Sequence, residues 1–515
     1  MPTLDWIGKD KVINHHLDVP YRVLEKKYTF GADNESENKI IKGDNLEALK
    51  SLLPEYAGRI DCIYIDPPYN TGNEKWVYND NVNDPKLKKW LGQVVGQEGE
   101  DLSRHDKWLC MMYPRLRLLH KLLSENGAIF ISIDDNEQAN LKLVCNEIFG
   151  TRNFIAQFVW KKKQGGGNDS NFVVIEHEYV FCYAKNIKQF NMGLDKIYQL
   201  DNKLYPFRDT KGEYGLVTLD KTSIQFSQSL VYEIIGPDGI TYYPRIVKGK
   251  QACWRWSKTK VNNQYDELVF KNGKVYTKYY RPEGVTPKSL LIDSIYGRTE
   301  SGNDDIKAIF KNKPFDYPKP VMLLSHIISI ATNNNSTILD SFAGSGTTAH
   351  AVLNLNKEDG GNRKFILIEM MDYAETITAE RVKRVINGYS DVEGTGGDFS
   401  FYEIGEPLLI NNEYLNENLD KSIIRDYIFF METKQKIEEN DTSDNEYYLG
   451  YKNDVGYYFY YDKNNITNLD YKFLSVIKQK YNNYIIYADK CTLSNNELIK
   501  FNITFKKIPR DITRL

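Results

Sequence analysis

An aspartate, two prolines and a tyrosine in succession, Asp66-Pro67-Pro68-Tyr69, close the apolar run Ile60 to Ile65. Asp66 precedes a proline, so its backbone is driven out of the helical region. Pro67 and Pro68 have a fixed φ and no N–H, which leaves their carbonyls free to accept. The result is a stiff corner holding a carboxylate, a backbone carbonyl and an aromatic face. It suits a planar base with an exocyclic amino group, because two N–H bonds find two acceptors and the ring finds a platform. Alone, the same four residues also read as a proline-rich turn after a strand. Asn70 follows directly and is a candidate for substrate contact, as is the basic run Lys161-Lys162-Lys163. That run opens a glycine-rich hairpin, Gln164 to Asp169, whose charge would lie along a phosphate backbone, although an exposed loop of this composition needs no function.

A second chemical stretch follows the strand Thr337 to Asp340, namely Ser341-Phe342-Ala343-Gly344-Ser345-Gly346-Thr347-Thr348-Ala349. Gly344-x-Gly346-x-x-Ala349 between a strand and a helix matches the dinucleotide fingerprint, with an acid, Glu369, at the end of the next apolar strand. Glycines let a cofactor approach the backbone, and such an acid accepts from ribose hydroxyls. Taken alone the loop fits NAD or FAD as well as S-adenosylmethionine. The pairing of motifs tilts the choice. A dehydrogenase has no use for an amine-holding corner, whereas methylation of an amino group needs a sulfonium donor beside one. Asp340, Phe342, Ala343, Gly344, Ser345, Gly346, Thr347 and Glu369 are therefore the candidate cofactor-binding residues.

The elements that would position these residues alternate. Ile40-Ile41 reads as a strand, Gly43-Asp44-Asn45 as a turn, and Leu46, Leu49, Leu52 and Leu53 as a helical face before the strand Ile60 to Ile65. Strand, turn, helix, strand is the grammar of a parallel sheet. Asp44 stands where open α/β sheets bind ligands, and it is equally suited to cap the helix that follows. Residues 73–100 read as a loop able to close over substrate. Trp108 to Leu123 and Asn136 to Phe149 read as helices, with strands at Gly127 to Asp135, Phe154 to Trp160 and Val173 to Tyr183. From 186 to 312 the strands become short and aromatic, as in Trp254-Arg255-Trp256 and Lys278-Tyr279-Tyr280-Arg281, which predicts a mostly β insert. Its Arg, Lys, Tyr and Trp are the types that contact phosphates and bases, though most of its aromatics are expected to fill its own core. The α/β grammar resumes at 313 and runs to about 400. The expected domains are thus an arm (1–38), a first half-sheet (39–185), the insert (186–312), a second half-sheet (313–400) and a small α/β domain (401–515).

Bulk composition narrows the classes further. At 515 residues and net charge −3, the chain is long enough for several domains and carries no global excess of positive charge, so a nucleic-acid surface must be a local patch. Cysteines at 62, 110, 145, 182, 253 and 491 form no C-x-x-C, which favours reduced thiols and no metal site. The adjacent His15 and His16 would point in different directions on any regular element. No apolar leader opens the chain and no run reaches membrane-spanning length, so a cytoplasmic protein without a membrane partner is expected.

Asp66-Pro67-Pro68-Tyr69 together with Phe342-Ala343-Gly344-Ser345-Gly346 resembles the β-class adenine-N6 DNA methyltransferases, in which the catalytic motif precedes an inserted target-recognition domain and the donor loop comes last. The longer corner Asp66 to Gly72, the opening Leu4 to Lys11 and the approach Phe315-Asp316-Tyr317-Pro318-Lys319-Pro320 resemble the modification (Mod) subunits of type III restriction-modification systems. The likeness implies a Rossmann-like methyltransferase sheet in permuted motif order and S-adenosyl-L-methionine as cofactor. It also implies double-stranded DNA as substrate, a homodimer, and a restriction (Res) subunit as partner. Catalysis would fall to Asp66, Pro67, Pro68 and Tyr69. Lys319 and Thr347 would lie near the methionine end of the donor, Glu369 would hold its ribose, and Asp44 would meet its adenine. Cytosine-N4 methylation uses the same amino-group logic, and a non-catalytic DNA-recognition subunit would keep the same motifs.

Overall fold

The computed structural model describes residues 4–32, 36–71, 102–165, 172–196, 202–411, 413–437 and 445–510. The loop expected over 73–100 and the glycines of the hairpin from 166 onward lie outside them. The chain forms two compact units, one made of Met1–Gly193 with Lys288–Leu515 and the other of Leu194–Pro287.

A ten-stranded sheet organises the first unit. Its strands are β1 (Arg22–Phe30), β2 (Lys39–Lys42), β3 (Ile60–Ile65), β4 (Leu123–Ile133), β5 (Phe154–Lys161), β6 (His177–Ala184), β7 (Leu290–Leu291), β8 (Thr337–Asp340), β9 (Lys364–Glu369) and β10 (Phe399–Pro407). They lie in the order β1-β10-β2-β9-β8-β3-β4-β6-β5-β7. The stretch from β10 to β4 is parallel throughout. β6 turns antiparallel against β4 and β5, and β1 antiparallel against β10.

Parallel strands need cover on both faces, and their residues alternate to supply it. Ile41, Ile63, Ile129, Leu339 and Ile366 pack with α1 (Asn45–Tyr56) and α2 (Leu102–Leu122). Ile40, Cys62, Phe130, Ile338 and Phe365 pack on the other face with α3 (Val321–Ala331) and α4 (Thr347–Asp359). Asp44 starts α1 as its cap, accepting from the Leu46 and Glu47 amides at 2.8 and 3.3 Å. Capping, one of the two roles open to it in the sequence, is thus a role it fills.

Several elements differ from expectation. Residues 1–38 carry the edge strand β1, so this stretch is part of the sheet rather than only an arm against it. The helix expected from Asn136 is the shorter Gln138–Cys145, followed by one wide turn to Gly150. The second unit is narrower than the expected insert, because β7 and the helix Thr299–Phe310 belong with the sheet. Its four-stranded antiparallel sheet covers a small core of Leu219, Ile234, Trp254, Val261, Leu268 and Val275. The boundary expected at 401 falls inside β10. Beyond β10, a helix (Lys421–Thr433) and a four-stranded sheet form an α/β layer with its own apolar cluster. No helix among the described residues is long and apolar enough to cross a membrane.

Candidate active site

β3 and β8 are parallel neighbours, with Cys62 opposite Ile338 and Ile63 opposite Leu339. The loops that leave their carboxyl ends are therefore adjacent, at the edge where open α/β sheets bind ligands. One is the Asp66 corner and the other the glycine loop. Both line a single cavity of about 1020 Å³, together with Tyr64, Trp160, Glu178, Phe315 and Tyr373.

At the corner, the Trp108 indole donates to the Pro68 carbonyl at 2.7 Å and pins the turn to α2. No protein donor reaches the Pro67 carbonyl among the described residues. Asn70 has a left-handed backbone (φ 60°) that turns its amide into the protein, where it is buried and donates to Glu137. It does not line the cavity, because that backbone geometry faces it away. Lys319 lines the cavity and is bonded to the corner. Its Nζ donates to Asp66 Oδ1 and Oδ2 at 2.8 and 2.7 Å and to Tyr69 Oη at 2.8 Å, which ties it to the corner. Tyr69 in turn donates to Glu178 Oε2 at 3.0 Å, and Lys162 donates to Glu178 Oε1 at 3.0 Å. Lys163 lines the cavity, whereas Lys161 stands 3.5 Å from Glu176 outside it.

Two carboxylates and two ammonium groups thus form one half-buried cluster. Burial works against the charge on Lys319, but Asp66 and Glu178 outweigh it and hold the ammonium above its ordinary range. Burial likewise opposes the Glu178 charge, and Lys319 and Lys162 reverse it, so that Glu178 stays ionised. Burial, reinforced by Asp66 and Glu178, keeps the Tyr69 phenol protonated. Glu178 carries no motif. Its one signal in the sequence is an acid at the start of the otherwise apolar strand β6.

The glycine loop is held from beneath. The Gly344 amide donates to Glu369 Oε2 at 2.8 Å, the Gly344 carbonyl accepts from Thr378 at 2.6 Å, and the Phe342 amide donates to Asp340 at 3.0 Å. The buried Arg381 guanidinium reaches Ser345 and Thr347, both at 2.8 Å. Ser345 and Thr347 thus carry structural bonds as well as lining the cavity. Burial pushes the carboxyls of Asp340 and Glu369 up to about 7 each. Asp44 is absent from the cavity lining, and its second oxygen stands 3.5 Å from Arg115.

Comparison with known proteins agrees with this geometry. A family model described as DNA methylase matches residues 60–380, more than half of the chain. The chain belongs to this DNA methylase family. It is 34% identical over 414 residues to the EcoPI Mod subunit of Escherichia phage P1, covering 71% of this chain and 63% of that protein. It is 33% identical over 473 residues to the StyLTI Mod subunit of Salmonella typhimurium, covering 86% of this chain and 68% of that one. Both are type III restriction-modification enzymes. The type II methyltransferase M.KpnI of Klebsiella pneumoniae is 36% identical over 354 residues, covering 65% of this chain and 81% of its own length.

S-adenosylmethionine is the methyl donor of this methylase family, and the residues present fit it. Gly344 and Gly346 adopt left-handed φ values of 53° and 82°. A Cβ on Gly344 would stand 3.2 Å from the Phe315 ring, and one on Gly346 would stand 3.1 Å from the Thr378 carbonyl. The loop therefore keeps a bare backbone facing the cavity at Gly344, whereas Gly346 does not line the cavity and is left bare for the close approach of Thr378. Phe342 and Phe315 supply apolar walls, and Glu369 and Asp340 supply carboxyls. A nucleoside and a methionyl chain need this combination.

Proposed function

We propose that this methylase transfers a methyl group from S-adenosylmethionine to N6 of an adenine flipped out of duplex DNA, within a restriction-modification system. The observation that carries the reading is that the amine-accepting corner and the glycine loop meet in one cavity. An adenine stacked in a duplex cannot reach such a cavity, so it is extruded at a cost of roughly a few kcal/mol. Tyr69 offers its ring as the platform. The Asp66 carboxylate and the free Pro67 carbonyl accept the two N6 hydrogens, which draws the nitrogen lone pair out of ring conjugation. The bound donor supplies a methyl on a sulfonium sulfur that departs as a neutral thioether. Asp66 also stands ready to accept the proton shed by the methylated nitrogen. Positioning and electrostatics supply the rate, with no covalent intermediate on the protein. By family likeness the aspartate at the head of the corner favours adenine over cytosine. Mass spectrometry of nucleosides from a host expressing the chain is expected to find N6-methyladenine. Sequencing of the methylation pattern is expected to place it at one recognition site. N4-methylcytosine alone would overturn the base assignment, and unmodified DNA the function.

Glu369 gives a pH signature. Its carboxyl, raised by burial to about 7, is largely protonated at pH 6 before donor binds. Ribose hydroxyls donating to it favour the ionised form, so donor binding should release a proton. Donor affinity is then expected to rise between about pH 6 and pH 8, where the free carboxyl loses its proton unaided. Calorimetric titration at pH 6.5 in buffers of different ionisation enthalpy measures the release, and a buffer-independent heat counts against Glu369 as the ribose acceptor.

The second unit is the candidate for reading the recognition sequence. Its exposed Tyr279 and Arg281 are of the types that meet bases and phosphates. Lys163 remains a candidate for phosphate contact at the cavity. A homodimer and a restriction subunit complete the proposed assembly, with the bacterial cytoplasm as its setting. Light scattering of the purified chain tests the dimer, and co-purification with a restriction subunit encoded beside it tests the partner.

A further inference from the structure

Lys319 holds positions that the proposed reaction needs vacated. Its Nζ is bonded to both Asp66 oxygens at 2.8 and 2.7 Å and to Tyr69 Oη at 2.8 Å. The same Nζ lies 4.9 Å from the centre of the Tyr69 ring. One ammonium therefore occupies the carboxylate that would accept an N6 hydrogen and also holds the hydroxyl end of the ring on which the base would stack. A neutral amino group cannot compete with a cation so held unless the cation has somewhere to go. A buried ammonium left without a counter-charge is strongly disfavoured.

Glu178 provides the destination. Its Oε2 stands 3.4 Å from Lys319 Nζ, at the edge of contact. Both carboxylates line the cavity, and the side chain of Asp66 is 26% exposed against 10% for Glu178, so Asp66 is the more open of the two. Tyr69 already donates to Glu178 Oε2, which links the stacking ring to the same carboxylate.

We propose that Lys319 is a stand-in for the target amino group, parked on Asp66 while no base is bound, and that Glu178 is the positioning residue that draws it off when the base enters. A swing of the Lys319 side chain from Asp66 to Glu178 exchanges one ion pair for another. Afterwards Glu178 carries both Lys319 and Lys162, and Asp66 is left as an unshared carboxylate facing the amino group. The base-free corner is thereby closed to adventitious amines and cations, and it opens when a base stacks on Tyr69. This deepens the methyl-transfer reading and rests on it.

The test uses the full chain and a duplex containing its own recognition sequence. 2-Aminopurine is placed beside the target adenine, where it brightens when its neighbour unstacks, and S-adenosylhomocysteine replaces the donor so that no transfer occurs. Glu178→Gln keeps an acceptor for Tyr69 but removes the charge, and is expected to lower both the brightening and, with donor, the single-turnover rate by roughly tenfold. Lys319→Met alone is expected to extrude the base at least as well as the parent chain. The double variant Glu178→Gln/Lys319→Met is expected to recover the extrusion that Glu178→Gln lost, a reversal that a merely structural role for Glu178 does not produce. No recovery in the double variant, or weaker extrusion by Lys319→Met than by the parent, overturns the proposal. A parent chain that methylates no DNA overturns the underlying function instead, so the two failures are told apart.

Discussion

Asp66→Ala is expected to abolish methyl transfer, with a loss of roughly 10³-fold or more in single-turnover rate, while donor affinity stays within about twofold of the parent. Asp66 closes β3 and holds no loop in place by a backbone bond, so its truncation leaves the strand and the glycine loop standing. What it removes is an acceptor for the amino group and the counter-charge of Lys319. The measurement pairs rapid-quench transfer of labelled methyl with calorimetric binding of donor. A variant that transfers at near-parental rate sinks the assignment of Asp66, and one that loses donor binding together with turnover shows a collapsed cavity instead.

The second large effect is expected at Gly344. Its φ of 53° is one that a β-branched residue rarely adopts, and its Cβ would stand 3.2 Å from the Phe315 ring. Gly344→Val therefore strains the backbone by about 1–3 kcal/mol and fills the approach to the cavity. The Gly344 amide, now bonded to Glu369, loses that geometry as the loop relaxes. Donor affinity is expected to fall roughly 100-fold, the equivalent of about 3 kcal/mol, and the methyl-transfer KM for donor to rise with it. Equal donor binding by the parent and Gly344→Val would remove the loop from the donor site.

Local chemistry explains which of these features were readable before any coordinates. A proline pair after an apolar run and a glycine loop between strand and helix each act through their own backbones, so residue type and order suffice to identify them. Their adjacency followed from the β-α-β grammar, because parallel strands bring their carboxyl ends to one edge. The bond from Lys319 to Asp66 could not be read in the sequence because only tertiary packing brings the two together, across an interval of 253 residues. Glu178 escaped notice for a topological reason. β6 runs antiparallel to β4, so the start of β6, not its end, reaches the functional edge, and Tyr179 lies opposite Ile133. Asn70 looked like a substrate contact from its neighbours alone, and its left-handed backbone, invisible in the one-dimensional chain, turns it inward. The edge strand β1 was missed because its charged residues, Glu25 to Lys27, hide the alternation that marks a strand.

The sheet order also bears on how the molecule comes to exist. β2 and β3 are made within the first 65 residues, yet β8 and β9, made after residue 336, lie between them. During translation the early strands must wait, with bare hydrogen-bonding edges, for partners that emerge hundreds of residues later, and such edges invite pairing with other chains. The reverse also holds. If the polypeptide were divided within the second unit, neither piece could complete the sheet, and mixing the two would have to interdigitate their strands to regain it. The same interleaving that sets two loops side by side at the centre makes folding slow to begin and makes the halves of the gene product depend on each other.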